Sequence, residues 1–298
     1  MRRVPARRRC LRTSPEGVPE SPLACSVRGC ELPLTRRERA YVCASGHSFD
    51  IARSGYINLL QPQDRRSSQA GDSKAAIEAR ATLEQTGIGR AVIDAVIDRV
   101  VALNLPANAV VVDLGSGSGE LLGSLSSQQP ISAIGIDLSI AAIGFAARRF
   151  PALTWVVANA DRRLPLQDGS VDIVLSINGR RNPSECARVL TATGVLFVVL
   201  PAADDLIELR TFVQGHAVER DRVERMLNEH NAGFELVERV PIRERLMLEQ
   251  TALLNLLRGT YRGARLKLSG RVNAIERMEV TLSSEICVLR RKQVEARL

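Results

Sequence analysis

The 298-residue chain is poor in aromatic side chains, which make up 3% of it and include a single Trp. A surface that reads nucleic-acid bases by aromatic stacking is therefore not obvious from composition. No apolar run reaches the ~18 residues of a membrane-crossing helix, so no membrane partner is expected. No apolar stretch follows the Arg-rich N-terminus, so a secretory signal is not expected either. Residues 1–15 carry several Arg and no acid, which fits a transit peptide or, more plainly, a disordered basic tail. Internal repeats and low-complexity tracts are lacking. Nothing in the cysteine usage suggests an oxidising compartment, and a cytoplasmic location is expected.

What is present is ordinary for a folded chain, with 45% hydrophobic and 25% charged residues. The length suits one large domain and one small one. The net charge of +8 is unevenly placed. Residues 1–66 hold 13 Arg and 6 acids, whereas the rest holds 28 basic and 27 acidic residues. Such a basic segment suits either a polyanionic partner or a solubilising tail.

Along the chain, residues 1–21 lack periodicity and read as disordered. Residues 22–60 form a Cys/His unit, 61–72 a polar linker, and 73–298 a large domain. Helices are expected after a cap at Asp72 or Ser73 through Gln85, and from Arg90 to Leu103. Short apolar strands follow at Ala109–Leu114, Ile131–Ile136, Thr154–Ala158, Val171–Ile177 and Gly194–Leu200. Helical patterns alternate with them at 119–127, 139–149, 183–190 and 204–229. Two more strands, Phe234–Leu248 and Met278–Arg290, flank a helix at 249–258. This alternation predicts an α/β fold with a doubly wound, mostly parallel sheet of seven strands, Rossmann-like, behind a small N-terminal metal-binding domain.

The segment Val110-Val111-Val112-Asp113-Leu114-Gly115-Ser116-Gly117-Ser118-Gly119 is a buried strand running into glycines and then a helix. Its G-x-G-x-G spacing is not the dinucleotide fingerprint, which needs Gly where Glu120 stands. Asp137 ends the second strand, where a carboxylate can accept hydrogen bonds from both hydroxyls of a ribose. Asn159, Ala160 and Asp161 follow the third strand, at the position that faces an adenine in such sheets. Residues 108–200 resemble the class I S-adenosylmethionine-dependent methyltransferases.

Cys25, Cys30, Cys43 and His47 form two close-set pairs separated by twelve residues. Each pair can sit on a tight turn, and the two can close a tetrahedron around Zn²⁺ with no open position. The alternative is three buried cysteines beside a surface histidine. Cys10 lies in the tail, and Cys186 and Cys287 read as plain core residues. His216 and His230 go with the long polar helix and read as surface residues.

The cluster is followed by His47-x-Phe49-Asp50, Gly55-Tyr56-Ile57-Asn58-Leu59-Leu60, Gly71-Asp72-Ser73 and Ala79-Arg80. From about residue 22 onward, this combination resembles the 23S ribosomal RNA (guanine-N1)-methyltransferases of the RlmA type, some of which confer macrolide resistance. The resemblance implies methylation of guanine N1 in a 23S rRNA hairpin loop, a homodimer, and fingers that help to grip RNA. It also implies zinc on Cys25, Cys30, Cys43 and His47. Asp113, Gly115, Gly117, Gly119, Asp137 and the Asn159–Asp161 turn would line the S-adenosylmethionine site.

Two stretches depart from the family. After the fourth strand, an aromatic or small residue followed by Ala-Pro is replaced by Ile177-Asn178-Gly179-Arg180-Arg181-Asn182-Pro183. Here Asn178 could orient a base edge, and the two Arg could hold phosphate. The family's Met-Thr-Pro-Phe stretch reads Leu257-Arg258-Gly259-Thr260-Tyr261. No catalytic base is assignable, and Asn178 is the one candidate near the acceptor. Tyr41, Phe49 and Tyr56 serve either base stacking or the finger's own core. Three functions stay open: an rRNA guanine-N1 methyltransferase, a methyltransferase with another RNA base or a small molecule as acceptor, and a non-catalytic RNA-binding relative.

Overall fold

The computed structural model describes residues 21–64, 71–215, 222–259, 272 and 274–292. Residues 1–20 of the expected N-terminal tail lie outside the described residues, as do His216 and residues 65–70 of the expected linker. The chain first forms a three-stranded antiparallel sheet from Leu34–Arg36 (β1), Ala40–Cys43 (β2) and Ser48–Asp50 (β3). Strands of three or four residues cannot hold themselves together in water. Their buried residues Leu34 and Tyr41, with Leu23 ahead of them, instead join one apolar cluster with Val112 and Ile136 of the larger sheet and Leu166 beside it.

The larger sheet takes its strands from Ile57–Asn58 (β4), Ala109–Leu114 (β5), Ile131–Asp137 (β6), Thr154–Val157 (β7), Val171–Ile177 (β8), Leu190–Pro201 (β9), Phe234–Glu249 (β10) and Arg277–Arg291 (β11). Their order is β10-β11-β9-β8-β5-β6-β7-β4. The run from β9 to β4 is parallel, and β11 is antiparallel to both its neighbours. This is the doubly wound sheet expected, with a correction from seven strands to eight. The extra strand is β4, which leaves the ribbon and pairs Ile57 with Val156 and Asn58 with Val157. Ile57 and Leu59 are buried there, each contributing about 1.5–3 kcal/mol of hydrophobic stabilisation. The edge of the sheet is thus closed by the N-terminal unit.

Helices Lys74–Gln85 (α1), Arg90–Ala102 (α2), Glu120–Gln128 (α3), Ile140–Arg149 (α4) and Pro183–Val189 (α5) follow the expected order. Their starts have local causes. The Ser73 hydroxyl accepts from the Ala76 amide, Ser139 from Ala142, and Asn182 from Ser184 with Pro183 next in line. The single helix expected at 204–229 is instead two, Ile207–Gln214 (α6) and Arg222–His230 (α7). Gly215 in the left-handed region stops the first. Gln250–Gly259 (α8) packs beside α1.

His230 is a second correction, because it is 2% exposed. In α7 it lies four residues after buried Met226 and seven after buried Val223, so it occupies the apolar stripe. Its Nδ1 pairs with the Met226 carbonyl at 2.8 Å, and its ring rests on Phe234. Cys186 and Cys287 are buried core residues, as expected. Tyr41 is buried, and Phe49 and Tyr56 pack on the core clusters, which favours their packing role.

The single Trp is a hub. Trp155 is fully buried and donates from Nε1 to the Phe150 carbonyl at 2.9 Å. A Cβ at Gly119 or Gly135 would lie 2.5 or 2.2 Å from its ring. Those two glycines therefore let the indole pass under the glycine-rich turn.

Candidate functional site

The N-terminal pairs close on one point. The ligand atoms of Cys25, Cys30, Cys43 and His47 all lie within 4.8 Å of one another. His47 Nδ1 is 3.5 Å from Cys25 Sγ and 3.4 Å from Cys43 Sγ, and Cys30 and Cys43 Sγ are 3.7 Å apart. The edges of a tetrahedron around zinc, with Zn–S ≈ 2.3 Å and Zn–N ≈ 2.0 Å, are about 3.5–3.8 Å, so the donors fit that ion. Two backbone turns hold them. The Cys30 amide donates to Val27 O at 3.0 Å, and the Gly46 amide donates to Cys43 O at 2.9 Å. Burial pushes the Cys25 thiol up to about 12, and a bound cation would favour its thiolate.

The second centre lies where strand order reverses at β5, the crevice position of an open α/β sheet. Gly115 and Ser116 turn off β5 by donating to Ile136 O at 2.8 and 3.2 Å. Asp137 closes the turn. Its Oδ2 accepts from the Gly117 amide at 3.1 Å and its Oδ1 from Ser139 at 2.8 Å. Each oxygen keeps a lone pair for a ribose hydroxyl. Burial pushes the Asp137 carboxyl above the usual carboxylate range, against the pull of those two amides.

Asp113 is 4% exposed, and its Oδ1 has no hydrogen-bond partner among the described residues. Burial, then the nearby Asp137 charge, pushes its carboxyl up to about 7. Ser116 Oγ is also buried and unpartnered. Two orphaned polar atoms beside a glycine turn fit a ligand bearing ammonium and hydroxyl groups. Asn159 is buried, and its Oδ1 accepts from the Asp161 amide at 3.0 Å. Ala160 lies between them, half-buried, and the Ala158 amide donates to Asp137 O at 3.1 Å. The Asn159–Asp161 turn is thus strung beside the end of β6.

The crevice has a strap that composition and spacing did not reveal. The Ser139 hydroxyl donates to Asp72 O at 2.9 Å, and a Cβ at Gly71 would meet Ser139 at 2.8 Å. Asp72 is ion-paired with Arg80, and both act electrostatically on Asp137. From α1, Glu84 accepts from the Ser118 hydroxyl at 2.7 Å. The Gly71-Asp72-Ser73 and Ala79-Arg80 motifs are the sequence signal for this strap.

The loop after β8 packs on the glycine turn. A Cβ at Gly179 would sit 2.3 Å from Leu114 O, and one at Gly115 would sit 3.2 Å from Gly179 Cα. Asn178 adopts a left-handed backbone, φ 53°, and its amide donates to Val199 O at 2.9 Å. Arg180 reaches outward to Asp161 at 2.9 Å. Arg181 turns inward and is half-buried, which corrects the expectation that both arginines hold phosphate.

Residues 24–68 match the family described as RlmA, N-terminal, and residues 111–194 match a methyltransferase domain family. A 23S rRNA (guanine(748)-N(1))-methyltransferase of Streptomyces fradiae is 34% identical over 75% of this chain and 80% of its own length. A putative 23S rRNA (guanine-N(1)-)-methyltransferase of Micromonospora griseorubida is 32% identical over 79% and 84%. Another so described, YxjB of Bacillus subtilis, is 34% identical over 59% and 63%. The chain belongs to the 23S rRNA (guanine-N1)-methyltransferase family.

Within that family architecture, the zinc ribbon and the crevice stand on one continuous core, joined through β4. Among the described residues, no helix is long and apolar enough to cross a membrane.

Proposed function

We propose that this chain transfers a methyl group to N1 of a guanine in a 23S rRNA hairpin loop. The observation that carries the reading is the seating of the Asn178–Gly179 loop directly against the glycine-rich turn, in a chain that also bears the ribbon. When bound, S-adenosylmethionine supplies an electrophilic methyl group on a sulfonium. Asp113, Gly115, Gly117, Gly119 and Asp137 would hold it, with Asn159, Ala160 and Asp161 against its adenine. Cys25, Cys30, Cys43 and His47 would hold zinc. The protein's share of the chemistry is alignment and exclusion of water around an in-line displacement. Asn178 is the candidate for orienting the base edge, and the guanine must leave its stack to reach it.

In this reading residues 22–60 are the metal-binding module, 61–72 a linker, and 73–298 the transferase. The protein works in the cytoplasm as a homodimer, the dimer resting on the family resemblance. The altered loop Asn178–Pro183 favours a second reading, another RNA base as acceptor.

Calorimetric titration with S-adenosylmethionine tests the site. Asp137→Ala is expected to weaken binding about 10–100-fold, the worth of one or two charged hydrogen bonds. Primer extension on rRNA from expressing cells then reads the product, since an N1-methylguanine cannot pair. Binding without a new stop on 23S rRNA would move the reading to the other acceptor. Absence of binding by folded, zinc-loaded protein would leave an RNA-binding relative. Growth of the same cells on macrolides tests resistance.

A further inference from the structure

Behind the acceptor loop lies a cation that the reading above leaves without a task. Arg181 is half-buried behind the loop, within electrostatic reach of Cys186, Glu229, Cys287 and His230. Its Nη1 donates to Gly179 O at 3.2 Å, two residues back in the same loop. Its Nε is buried and has no hydrogen-bond partner among the described residues, and neither has His230 Nε2. A guanidinium held in such surroundings is costly, so its retention calls for a task that packing does not supply. Leu or Met would fill the same space without that cost.

The loop needs such an anchor. Asn178 holds a left-handed backbone that a non-glycine residue rarely adopts, and Gly179 lies so close to Leu114 O that no side chain fits. The other tie on the Gly179 carbonyl is a 3.5 Å approach by Ser176 Oγ, at the limit of hydrogen bonding. Arg180 ties the outer side of the loop to Asp161, on the turn assigned to the adenine. The two arginines thus grip the loop from opposite sides. Arg181 holds the carbonyl of Gly179, the residue seated against Leu114 O.

We propose that Arg181 is a positioning residue for methyl transfer, whose guanidinium holds the Gly179 carbonyl and thereby sets where Asn178 presents the acceptor base. The inference rests on the reading of the chain as an rRNA methyltransferase. A displaced loop costs alignment, which falls on turnover more than on binding.

The test compares wild type, Arg181→Lys and Arg181→Met, as zinc-loaded full-length protein. It measures kcat and KM on a 23S hairpin RNA, and S-adenosylmethionine affinity by calorimetry. Arg181→Met is expected to lower kcat about tenfold or more, with KM and cofactor Kd within about threefold of wild type. Arg181→Lys keeps one donor and should fall between the two. Wild-type kcat in Arg181→Met, or a loss confined to cofactor affinity, overturns the proposal. Should Arg181→Met fail to fold, Arg181→Lys is read alone: a lowered kcat at unchanged Kd supports the proposal, and wild-type kcat overturns it. Wild-type protein that turns over no RNA fails the rRNA reading and this inference with it, whereas active wild type with an unaffected variant fails this inference alone.

Discussion

The zinc centre and the cofactor crevice are built on opposite plans. The zinc donors come from 23 consecutive residues, Cys25 to His47, on two tight turns, and they meet as a closed set. The crevice gathers Asp72, Asp113, Asp137, Asn159 and Gly179 from five segments, strand ends and loops, spread over more than a hundred residues. Glycines show the same contrast. At Gly46 of the ribbon, φ is 82° and a Cβ would meet nothing within 4 Å, so glycine is needed for conformation alone. At Gly135 the backbone is ordinary, but a Cβ would lie 2.2 Å from Trp155. The ribbon is specified by local geometry and a metal. The crevice is specified by how closely distant segments pack.

The comparison breaks most forcefully at the metal. Cys43→Ser, or removal of zinc by a chelator, should unfold the ribbon, because a structural zinc site is worth about 10 kcal/mol or more of apparent binding energy. Circular dichroism and a melting curve would show it. Rather than vanishing, S-adenosylmethionine affinity should fall by less than about tenfold, since Asp113, Asp137 and Asn159 of the crevice all come from outside the ribbon. Complete loss of cofactor binding would mean that the two regions fold as one.

Next in size is the glycine contrast. Gly135→Ala forces the Trp155 ring aside and should cost about 1–3 kcal/mol, an overpacking penalty. Gly46→Ala should cost about 1 kcal/mol, from backbone strain alone. Equal losses in thermal unfolding would erase the distinction.

A smaller effect should appear with pH. The Asp113 carboxyl stands at about 7, above its unfolded value, so the stability it lends is present below pH ~4 and is lost as pH rises through ~7. A cationic ligand favours the ionised form. S-adenosylmethionine should therefore bind more tightly as pH rises from about 6 to 7.5, by up to roughly tenfold, releasing a proton. Asp113→Asn should flatten that dependence, and an unchanged slope would detach Asp113 from the ligand. The ribbon has no counterpart to this, because its thiols answer to the metal.

The smallest change is expected from Arg180→Ala. This removes an exposed ion pair with Asp161 worth less than about 1 kcal/mol, so the melting temperature should barely move. A large drop would show that the acceptor loop depends on its outer tie as much as on its inner one.

Much of this was legible in the amino-acid order. Both zinc pairs, the strand into Gly115, Asp137 at the end of β6, and the Ser73 cap each depend on residues near one another in the chain. Spacing and residue type carry such features, because the geometry is local. The eighth strand was not legible. Ile57 and Asn58 are too few to show a period, and β7, their partner, lies about a hundred residues on. His230 was misread because its neighbours in α7 are mostly charged, although Val223 and Met226 mark the stripe it shares. The inward turn of Arg181 brings it within electrostatic reach of Cys186 in α5, Glu229 in α7 and Cys287 in β11, and no spacing rule encodes that.

The sequence by itself determined the fold class, the donor set for zinc and the strand ends that carry the crevice, since backbone geometry and ligand chemistry act over a few residues. Only the tertiary structure decided that the ribbon closes the sheet edge, that α1 straps the glycine turn, and that one arginine of the acceptor loop faces solvent while the other is drawn inside. Those outcomes follow from packing between segments remote in the chain, where close approach and burial, rather than local preference, select the arrangement.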